Sequence, residues 1–554
     1  MLKMKFHYFG YILFLSILFS CGVKKSRTFT PEIGSYSIDS SKIEKINDSL
    51  SFKGVNSFRK NKYEQWELVA SGNPLALGNS IGGLTKELMR KQEEVFFSKV
   101  EEFVPSKFKQ KLLRNFLSWY NRKIFEHIKE EYQIEIYGIS QFSSNKYDFI
   151  ANKFARSVYL HGAHDIGHAF KDLALVGCTS FAVWGENTPD GNLIIARNFD
   201  FYVDDEFAED KVISFIHPDK GYKFVSVSWA GMIGVMSGMN EKGLTVTINA
   251  GKSDVPYIAK TPISLVAREV LQYSSNIKEA IHIARQKEVF VSESILVGSD
   301  EDNKAVIIEI SPNNFDVYEV ANSSKIICSN HFQSKEYQLD KENIKHISES
   351  DSKYRYDRMQ ELLLASEKVT PKKAVAILRN KEGLGNENIG LGNEKSINQL
   401  LSHHGVVFQP HDKIIWVSTN PYQLGEFVAF QLDSVFATSN KISSTLSMPE
   451  LLIEKDPFIG TQEFRNFEEY KIEKAEIELL ISNEEYISQE KLNKFKSLNS
   501  HSWQVYYLVG KYFYQKKYYH AAQIEFEKSL EKEITTEPDR KSIENYIKKI
   551  KRKL

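Results

Sequence analysis

Cysteine is scarce in this chain: among 554 residues only Cys21, Cys178 and Cys328 occur. Exported proteins that depend on disulfides carry an even set of cysteines at recurring spacings, so the sequence excludes a disulfide framework. Cys21 lies in the N-terminal segment, far from the other two. Cys178 and Cys328 therefore either pair with each other or leave at least one working thiol.

An excess of charge of either sign is also missing. Lys plus Arg and Asp plus Glu each number 72, so nothing in the charge balance indicates nucleic-acid binding. Hydrophobic residues make up 42% and aromatic residues 12%, as in ordinary globular proteins. At roughly 100 to 200 residues per domain, the length predicts two to four structural units.

The N-terminal apolar run is too short for a convincing membrane span. It follows Lys3 and Lys5 and ends at Ser20, which is the layout of an export signal. Cys21 directly after this small residue resembles the lipobox of bacterial lipoproteins. The resemblance implies a signal peptide over residues 1–21, lipidation of Cys21, and an exported protein anchored to a bacterial membrane, facing the periplasm or the cell surface. The alternative is an ordinary signal peptide with a coincidental cysteine.

The rest of the chain divides by its pattern. Residues 22–70 are rich in Ser, Lys and Asp and are interpreted as a tether. Residues 71–177 place apolar side chains three and four apart, which predicts helices. Short alternating runs separated by turn residues dominate 178–445 and predict antiparallel strands with helices in the longer connections.

The C-terminal residues 464–554 are again helical in pattern. The small and aromatic positions match a tetratricopeptide-like helical hairpin, namely Gly510, Phe513, Ala522, Phe526 and Ser529. One clear copy is present, whereas such repeats need about three to be stable alone. The segment is interpreted as a structural cap, with a protein-binding surface as the alternative.

A glycine-rich stretch, GLGNENIGLGNEKS, resembles a phosphate-binding loop only superficially. It lacks the adjacent Gly-Lys-Ser/Thr that such a loop uses to hold phosphates and magnesium. The stretch is therefore expected to be a flexible surface loop.

Cys178 stands after a glycine at the mouth of a predicted strand, in the run VGCTSFAVWG. A free thiol has a pKa near 8.5, so it needs a base or a cation beside it to attack at neutral pH. The base is either a histidine or the α-amino group of the cysteine itself. The second arrangement requires that the peptide bond before Cys178 be cut.

Five stretches in order carry a family resemblance: GCTSFAVWG, DGNLIIARNFDF, GMNEKGLTVTINAG, ICSNHF and SKYRYDRMQELL. They resemble the N-terminal-nucleophile (Ntn) hydrolases of the choloylglycine hydrolase, penicillin acyltransferase and acid ceramidase group. The resemblance covers roughly residues 70–440 and is most specific over 177–250. It implies an α+β fold with four αββα layers and autocatalytic cleavage of Gly177–Cys178.

The resemblance also assigns the candidate catalytic residues, which are Cys178, Arg197, Asp200, Asn249, Asn330 and Arg355. Arg197 would favour the thiolate and Asp200 would orient the freed amine. The two asparagines would stabilise developing negative charge without trapping the substrate. Arg358, one helical turn after Arg355, is a rival for the role of the later arginine.

Three histidines, His161, His164 and His168, would share one face of a helix and suit a zinc ion by spacing. Gly162 and Gly167 weaken that helix, and the family chemistry needs no metal. The favoured interpretation is that the histidines pack near the cleavage site, with no metal and no cofactor. His403 and His404 resemble a family segment leading into a late strand and are weaker candidates for the pocket.

The expected function is cleavage of a linear amide, or transfer of its acyl group, through a thioester on Cys178. The partners expected are a small-molecule acyl amide and, through the lipid anchor, a membrane. Two alternatives remain: lipid-ester hydrolysis, as in phospholipase B-like relatives, and a non-catalytic lipoprotein that recruits a partner through its C-terminal helices.

Overall fold

The structure is a computed structural model that describes residues 21–162, 175–202, 205–253, 258–437 and 445–554. The strands of this part of the chain are β1 Ile43–Asn47, β2 Leu50–Lys53, β3 Asn56–Lys60, β4 Trp66–Gly72, β5 Leu175–Val176, β6 Thr179–Val183, β7 Ile194–Phe199, β8 Phe201–Tyr202, β9 Val212–Pro218, β10 Phe224–Ser228, β11 Ser237–Asn240, β12 Leu244–Ala250, β13 Glu293–Ser299, β14 Lys304–Ile310, β15 Phe315–Tyr318, β16 Lys325–Cys328, β17 His404–Gln409, β18 Ile414–Ser418 and β19 Phe427–Gln431.

The helices of the same ranges are α1 Cys21–Thr28, α2 Pro74–Leu84, α3 Lys86–Phe103, α4 Lys107–Tyr120, α5 Glu130–Ser140, α6 Lys153–His161, α7 Asp205–Glu209, α8 Ile263–Tyr273, α9 Ile277–Arg285, α10 Lys341–Glu349, α11 Ser352–Leu364, α12 Pro371–Leu378, α13 Leu432–Ala437, α14 Gln462–Ser482, α15 Gln489–Leu498, α16 Trp503–Gln515, α17 Tyr519–Leu530 and α18 Glu537–Ile550.

Two large sheets form the middle of the molecule. One has 11 strands in the order β1-β2-β3-β4-β9-β10-β11-β12-β13-β14-β15, and the other has six in the order β16-β6-β7-β17-β18-β19. Neighbours in both are antiparallel except β4 and β9, which run parallel. Strands such as β12 are buried along their whole length, as expected when both faces of a sheet are covered.

Three apolar clusters define the layers. The cluster between the sheets combines Phe215 and Val225 of the large sheet with Ile195 and Phe430 of the small one. The outer face of the large sheet packs on α2, α5, α6, α8 and α9. The outer face of the small sheet packs on α11 and α12. The order helix, sheet, sheet, helix confirms the predicted four-layer αββα class.

The N-terminal segment differs from the predicted tether over 22–70. Residues 43–72 form β1–β4, an extension of the large sheet, and α1 packs on α4 and α6. The interpretation as a tether is wrong there because composition outweighed a weak strand pattern. The outermost strand, Ile43–Asn47, is exposed at every residue, so its sequence resembles that of a polar linker. Leu68 and Ala70 of β4, in contrast, are buried.

The C-terminal helices α14–α18 pack on one another and against the segments around Leu400 and Leu424. Gly510 of α16 gives the close approach to the next helix, since an added Cβ there would lie 2.8 Å from the ring of Phe526. This contact fits the hairpin pattern, while the assignment to tetratricopeptide repeats remains a prediction.

The glycine-rich stretch lies between this helical region and the sandwich, so the expected surface loop is wrong. Ile389 is buried, and the backbone of Leu391 exchanges hydrogen bonds with Asn499 at 3.1 and 2.8 Å. The loop is thus fixed by helices that follow it by about a hundred residues, a contact that no local pattern reveals.

Within the described ranges, no helix combines the length and apolarity required to cross a bilayer. The expected signal peptide up to residue 20 lies outside these ranges, and the structure describes the backbone of Cys21 but not its side chain.

Candidate active site

Cys178 lies directly before β6, whose neighbours in the small sheet are β7 and β16. Its side chain is 1% exposed and faces the apolar cluster of the large sheet. Cys328 at the end of β16 is also buried, and both cysteines are free thiols. Of the two interpretations that the sequence left open, the structure therefore excludes the disulfide.

Arg197 of β7 is the cation beside the thiol. Its Nη2 lies 3.5 Å from Cys178 Sγ, and Nη1 donates to the carbonyl of Met236 and to Ser237 Oγ, both at 2.6 Å. The guanidinium also lies over the ring of Phe199, with Cζ 4.4 Å from its centre. These contacts hold the positive charge in one position.

The pKa of Cys178 reflects two opposing effects. Burial raises it above the usual thiol value, because the low-dielectric interior disfavours the thiolate, and the positive charge of Arg197 lowers it. The carboxyl of Asp200 adds a further upward contribution. In the intact chain the thiol is therefore protonated at neutral pH, and Arg197 alone does not ionise it.

Asp200 follows β7 and is completely buried. Its Oδ1 accepts a hydrogen bond from Ser402 Oγ, and Oδ2 has no hydrogen-bond partner among the described residues. Burial raises the pKa of Asp200 to about 7, against the lowering effect of Ser402 and of Arg355. Its backbone carbonyl accepts from the N–H of Gly177 at 3.1 Å, which places Asp200 next to the residue that precedes Cys178.

The two rival arginines of α11 occupy different places. Arg355 donates to the carbonyl of Cys178 at 2.8 Å, to Thr179 Oγ1 at 2.7 Å and to Asn330 Oδ1 at 2.8 Å. Arg358 instead donates to the carboxylate of Glu361, on the same helix, at 2.9 Å. The structure therefore brings Arg355, and not Arg358, to Cys178.

The two asparagines lie between the sheets. Asn249 Nδ2 donates to the carbonyl of Cys328 at 3.1 Å, and its Oδ1 accepts from Ser180 Oγ at 2.9 Å. Asn330 Nδ2 donates to the carbonyl of Ala250 at 3.0 Å. A side-chain amide carries two N–H groups, and each of these contacts uses one.

The histidine cluster is only partly described, since His164 and His168 lie outside the described residues. His161 is fully buried, donates from Nδ1 to the carbonyl of Ser157 at 2.8 Å and accepts at Nε2 from the N–H of Ile233 at 3.1 Å. Burial lowers its pKa to about 4. Both ring nitrogens are thus occupied by backbone, and the described ranges contain no group of three or more His, Cys, Asp and Glu side chains suited to a metal.

His403 and His404 lie behind the site. Their Nδ1 atoms are 2.8 Å apart, and His404 Nε2 contacts Ser237 Oγ at 2.9 Å, the hydroxyl that also accepts from Arg197. Burial lowers the pKa of His403 to about 3. The two imidazoles are therefore neutral, and His404 is connected to Arg197 through the hydroxyl of Ser237.

A narrow cleft with a cavity volume of about 60 Å³ lies between α3, α5, α6 and the large sheet, beside the aromatic residues that follow β7. Phe201 in its wall stacks on Phe199, with ring centres 5.7 Å apart. The lining is mainly apolar and comprises Met89, Gln92, Glu93, Phe96, Ile139, Ser143, Ser157, Leu160, His161, Phe201, Phe207, Trp229, Ala230, Gly231 and Met232. Phe199 in turn lies under the guanidinium of Arg197, so the stacked pair connects the wall of the cleft with the cation beside the thiol.

Several residues at the site carry no sequence signal. Ser402, Ser237 and Thr179 bind the side chains of Asp200, Arg197 and Arg355, and Gln399 contacts the carbonyl of Gly177. Hydroxyl and amide side chains are common in loops, so neither their type nor their spacing distinguishes these four. Thr179 lies within the family stretch GCTSFAVWG, Ser237 directly precedes GMNEKGLTVTINAG, and Ser402 is next to the noted His403.

Comparison with known proteins gives a family match over part of the chain. Residues 186–420 match the family model "Acyl-coenzyme A:6-aminopenicillanic acid acyl-transferase", which begins eight positions after Cys178 and includes the other five candidate catalytic residues. An uncharacterized protein of Archaeoglobus fulgidus is 27% identical over 153 residues, 27% of this chain and 26% of that protein. Protein dcd1B of Dictyostelium discoideum is 25% identical over 147 residues, 26% of this chain and 29% of that protein. The chain thus spans a little over a quarter of the length of these two relatives.

Solved structures give weak similarities. A Caenorhabditis elegans ortholog of N-acylethanolamine-hydrolyzing acid amidase has 18% identity and a TM-score of 0.31, over 42% of this chain and 93% of that one. A mutant of conjugated bile acid hydrolase from Clostridium perfringens has 13% identity and a TM-score of 0.31, over 49% and 95%. The match of residues 186–420 to this family model agrees with the resemblance carried by the sequence motifs.

Proposed function

We propose that this chain is a cysteine Ntn hydrolase that cuts itself at Gly177–Cys178 and then hydrolyses a linear amide, or transfers its acyl group, through a thioester on Cys178. The observation that carries the proposal is the 3.5 Å contact between Arg197 Nη2 and the buried, free Sγ of Cys178. A fully buried arginine next to a fully buried thiol is costly for a purely structural pair, because both prefer water when charged.

Self-cleavage would supply the missing base. An α-amino group has a pKa of about 7.7 to 8.0 and so accepts a proton near neutrality. Freed from Gly177, the amine of Cys178 would take the proton of its own thiol. Asp200 would orient this amine, which is supported by the unpartnered Oδ2 and by the contact between its backbone carbonyl and Gly177.

Acyl transfer would then take place in two stages. Sγ attacks the amide carbonyl of the substrate, and the second N–H of Asn249 is a donor for the developing oxyanion. The protonated α-amine gives its proton to the leaving nitrogen, which departs as an amine and leaves a thioester. Water, or a second amine, attacks the thioester and restores the thiol.

The substrate class is proposed from the cleft. Its aromatic and aliphatic lining favours an apolar acyl group on a small amide, and Phe201 of that lining stacks on Phe199, the ring that contacts Arg197. The same lining suits an apolar ester, so hydrolysis of a lipid ester is the second candidate. No cofactor or metal enters the proposed steps.

The location and further partners are proposals from the sequence. Lipidation of Cys21 would anchor an exported protein to a bacterial membrane, facing the periplasm or the cell surface. The C-terminal helices provide a surface for a protein partner, although their contacts with the glycine-rich stretch already support a structural role.

A comparison of Cys178→Ala with Cys328→Ala tests the proposal, because the two residues are buried free thiols of the same sheet. Intact mass analysis of the wild type and of Cys328→Ala should show two fragments, one that ends at Gly177 and one that begins at Cys178. Cys178→Ala should remain one polypeptide. Processed protein should hydrolyse N-acyl amides faster than matched esters; the reverse order would favour the lipid esterase. An uncut but active wild type would contradict the mechanism.

A further inference from the structure

Gly177 is held on both sides of its Cα. On the side of the preceding peptide, the N–H of Gly177 donates to the carbonyl of Asp200 at 3.1 Å. On the carbonyl side, Nε2 of Gln399 donates to Gly177 O at 2.7 Å. Gln399 is 2% exposed. The carbonyl that Cys178 would attack therefore already receives a hydrogen bond from a buried neutral amide.

Gly177 leaves room for this amide. A Cβ added at position 177 would lie 2.7 Å from Gln399 Oε1 and 3.0 Å from its Cδ, closer than side chains approach one another. The backbone of Gly177 is not in the left-handed region, so the glycine is required by space and not by conformation. Gln399 and Gly177 form one matched unit.

Gln399 is placed by the C-terminal part of the chain. The next residue, Leu400, is buried in a cluster with Phe464 and Phe467 of α14. Leu400 has a φ of +53°, which is unfavourable for a branched side chain and persists only where packing enforces it. Six residues before Gln399, Asn393 Nδ2 donates to the carbonyl of Glu533 at 2.8 Å.

We propose that Gln399 is a catalytic residue of self-cleavage, donating to the oxyanion that forms on Gly177 O, and that the C-terminal helices hold it there. The inference rests on the proposed self-cleavage. Neutral amide donors suit an oxyanion because they stabilise the charge where it develops and need no reorientation when it forms.

The reaction balances as follows. Cys178 loses its thiol proton, and Sγ attacks the carbonyl carbon of Gly177, whose oxygen becomes negative beside Gln399 Nε2. The C–S bond forms, the C–N bond breaks, and the proton ends on the nitrogen of Cys178, which becomes a free amine. Water then hydrolyses the thioester, releasing the carboxyl group of Gly177 and the thiol of Cys178.

The test follows self-cleavage of the full chain during timed cell-free synthesis, by gel and intact mass. Gln399→Ala and Gln399→Glu should slow the cut by about 100-fold or more, the usual effect of removing one oxyanion donor. The matched control is Gln423→Ala. Gln423 is 1% exposed and its Nε2 donates at 2.7 Å to another backbone carbonyl, that of Leu378, so this variant should cut within about twofold of the wild-type rate.

A double-mutant cycle separates catalysis from folding. Gly177→Ala should slow the cut strongly in the wild type, because its methyl group displaces the Gln399 amide, and much less in the Gln399→Ala background. Cleavage of Gln399→Ala at the wild-type rate, equal slowing by Gln399→Ala and Gln423→Ala, or additive effects in the cycle would overturn the inference. A wild type that stays uncut would overturn the proposed self-cleavage itself.

Discussion

Nη2 of Arg197 lies 3.5 Å from Sγ of Cys178, and the rest of the guanidinium is fixed by the carbonyl of Met236 and by Ser237. The cation is therefore in position before the thiol ionises. Since the same arginine lowers the pKa of Cys178 against the effect of burial, its charge and its geometry both act on the nucleophile.

Arg197→Lys should keep the positive charge and lose the arrangement of hydrogen bonds that the guanidinium makes. A lysine ammonium is a point charge that does not reproduce the fork of contacts to sulfur, hydroxyl and carbonyl. We expect the pH profile of amide hydrolysis to move to higher pH and kcat/KM to fall by at least about 10-fold, since hydrogen bonds to charged groups contribute about 1.5 to 3 kcal/mol each. Steady-state kinetics from pH 6 to 9, with thermal unfolding as the control for folding, measure this. An unchanged profile would contradict the role assigned to Arg197.

Arg355→Lys and Arg358→Lys form a matched pair one turn apart on α11. Arg355 bridges Cys178, Thr179 and Asn330, whereas Arg358 does not reach Cys178. We expect Arg355→Lys to lower kcat/KM by about 10- to 100-fold and Arg358→Lys to leave it within about twofold. Equal losses in the two variants would mean that helix stability, and not contact with the site, sets the effect.

Self-cleavage should depend on pH through Asp200. Burial raises its pKa to about 7, so the carboxyl is neutral below that pH and ionised above it. The ionised form would stabilise the positive charge that the nitrogen of Cys178 acquires as it leaves. The rate of the cut should therefore rise between pH 6 and 8, and Asp200→Asn should be slower and flatter over this interval. A wild-type rate that falls with rising pH would exclude this assignment.

His161 should make the fold sensitive to acid. Burial lowers its pKa to about 4 from an unfolded value near 6.5, so between these limits the unfolded state binds a proton that the folded state does not. The stability that depends on neutral His161 is thus complete above about pH 6.5 and is lost as the pH falls towards 4. Urea unfolding at pH 7 and pH 5 should show a loss larger by about 2 kcal/mol in the wild type than in His161→Gln. Equal losses would place the acid sensitivity elsewhere.

Phe467 should couple the C-terminal helices to the site. It is 3% exposed and packs in the cluster that contains Leu400. Phe467→Ala should destabilise the fold by about 3 to 5 kcal/mol, as for other buried phenylalanines, and should lower the yield of self-cleavage. Leu479→Ala lies on the same helix but starts from a side chain that is 58% exposed, so a change within about 0.5 kcal/mol is expected. Normal cleavage in a measurably destabilised Phe467→Ala would show that the helices do not position the loop.

The sequence predicted the parts of the site that are local. Arg197 lies on β7, Asp200 directly follows it and Cys178 directly precedes β6; because a short connection pairs the two strands, their order in the chain already implies that the three residues meet. Arg355 and Arg358 could not be ranked from sequence, because residues three apart share a helix face and only packing decides which one turns inward. Gln399 was missed for a stronger reason: its position depends on helices that begin more than sixty residues later.

The fold shows the same division. The four layers of the sandwich were expected from the family resemblance, whereas the short alternating runs within 178–445 predicted the antiparallel strands. The tether assignment at 22–70 was wrong in part because edge strands carry polar side chains. Edge polarity protects a sheet from pairing with other molecules, and it also removes the alternation by which a strand is recognised.

The parallel pairing of β4 with β9 reaches across the bond that is proposed to break. Residues from Trp66 to Gly72 precede Gly177, their partners from Val212 to Pro218 follow it, and the two segments share one hydrogen-bonded ladder. After cleavage the two fragments would therefore remain associated as one two-chain protein. Loss of the first fragment would expose the edge of β9 and part of the apolar core. We therefore expect that fragment to remain as a permanent subunit and not to be discarded as a propeptide.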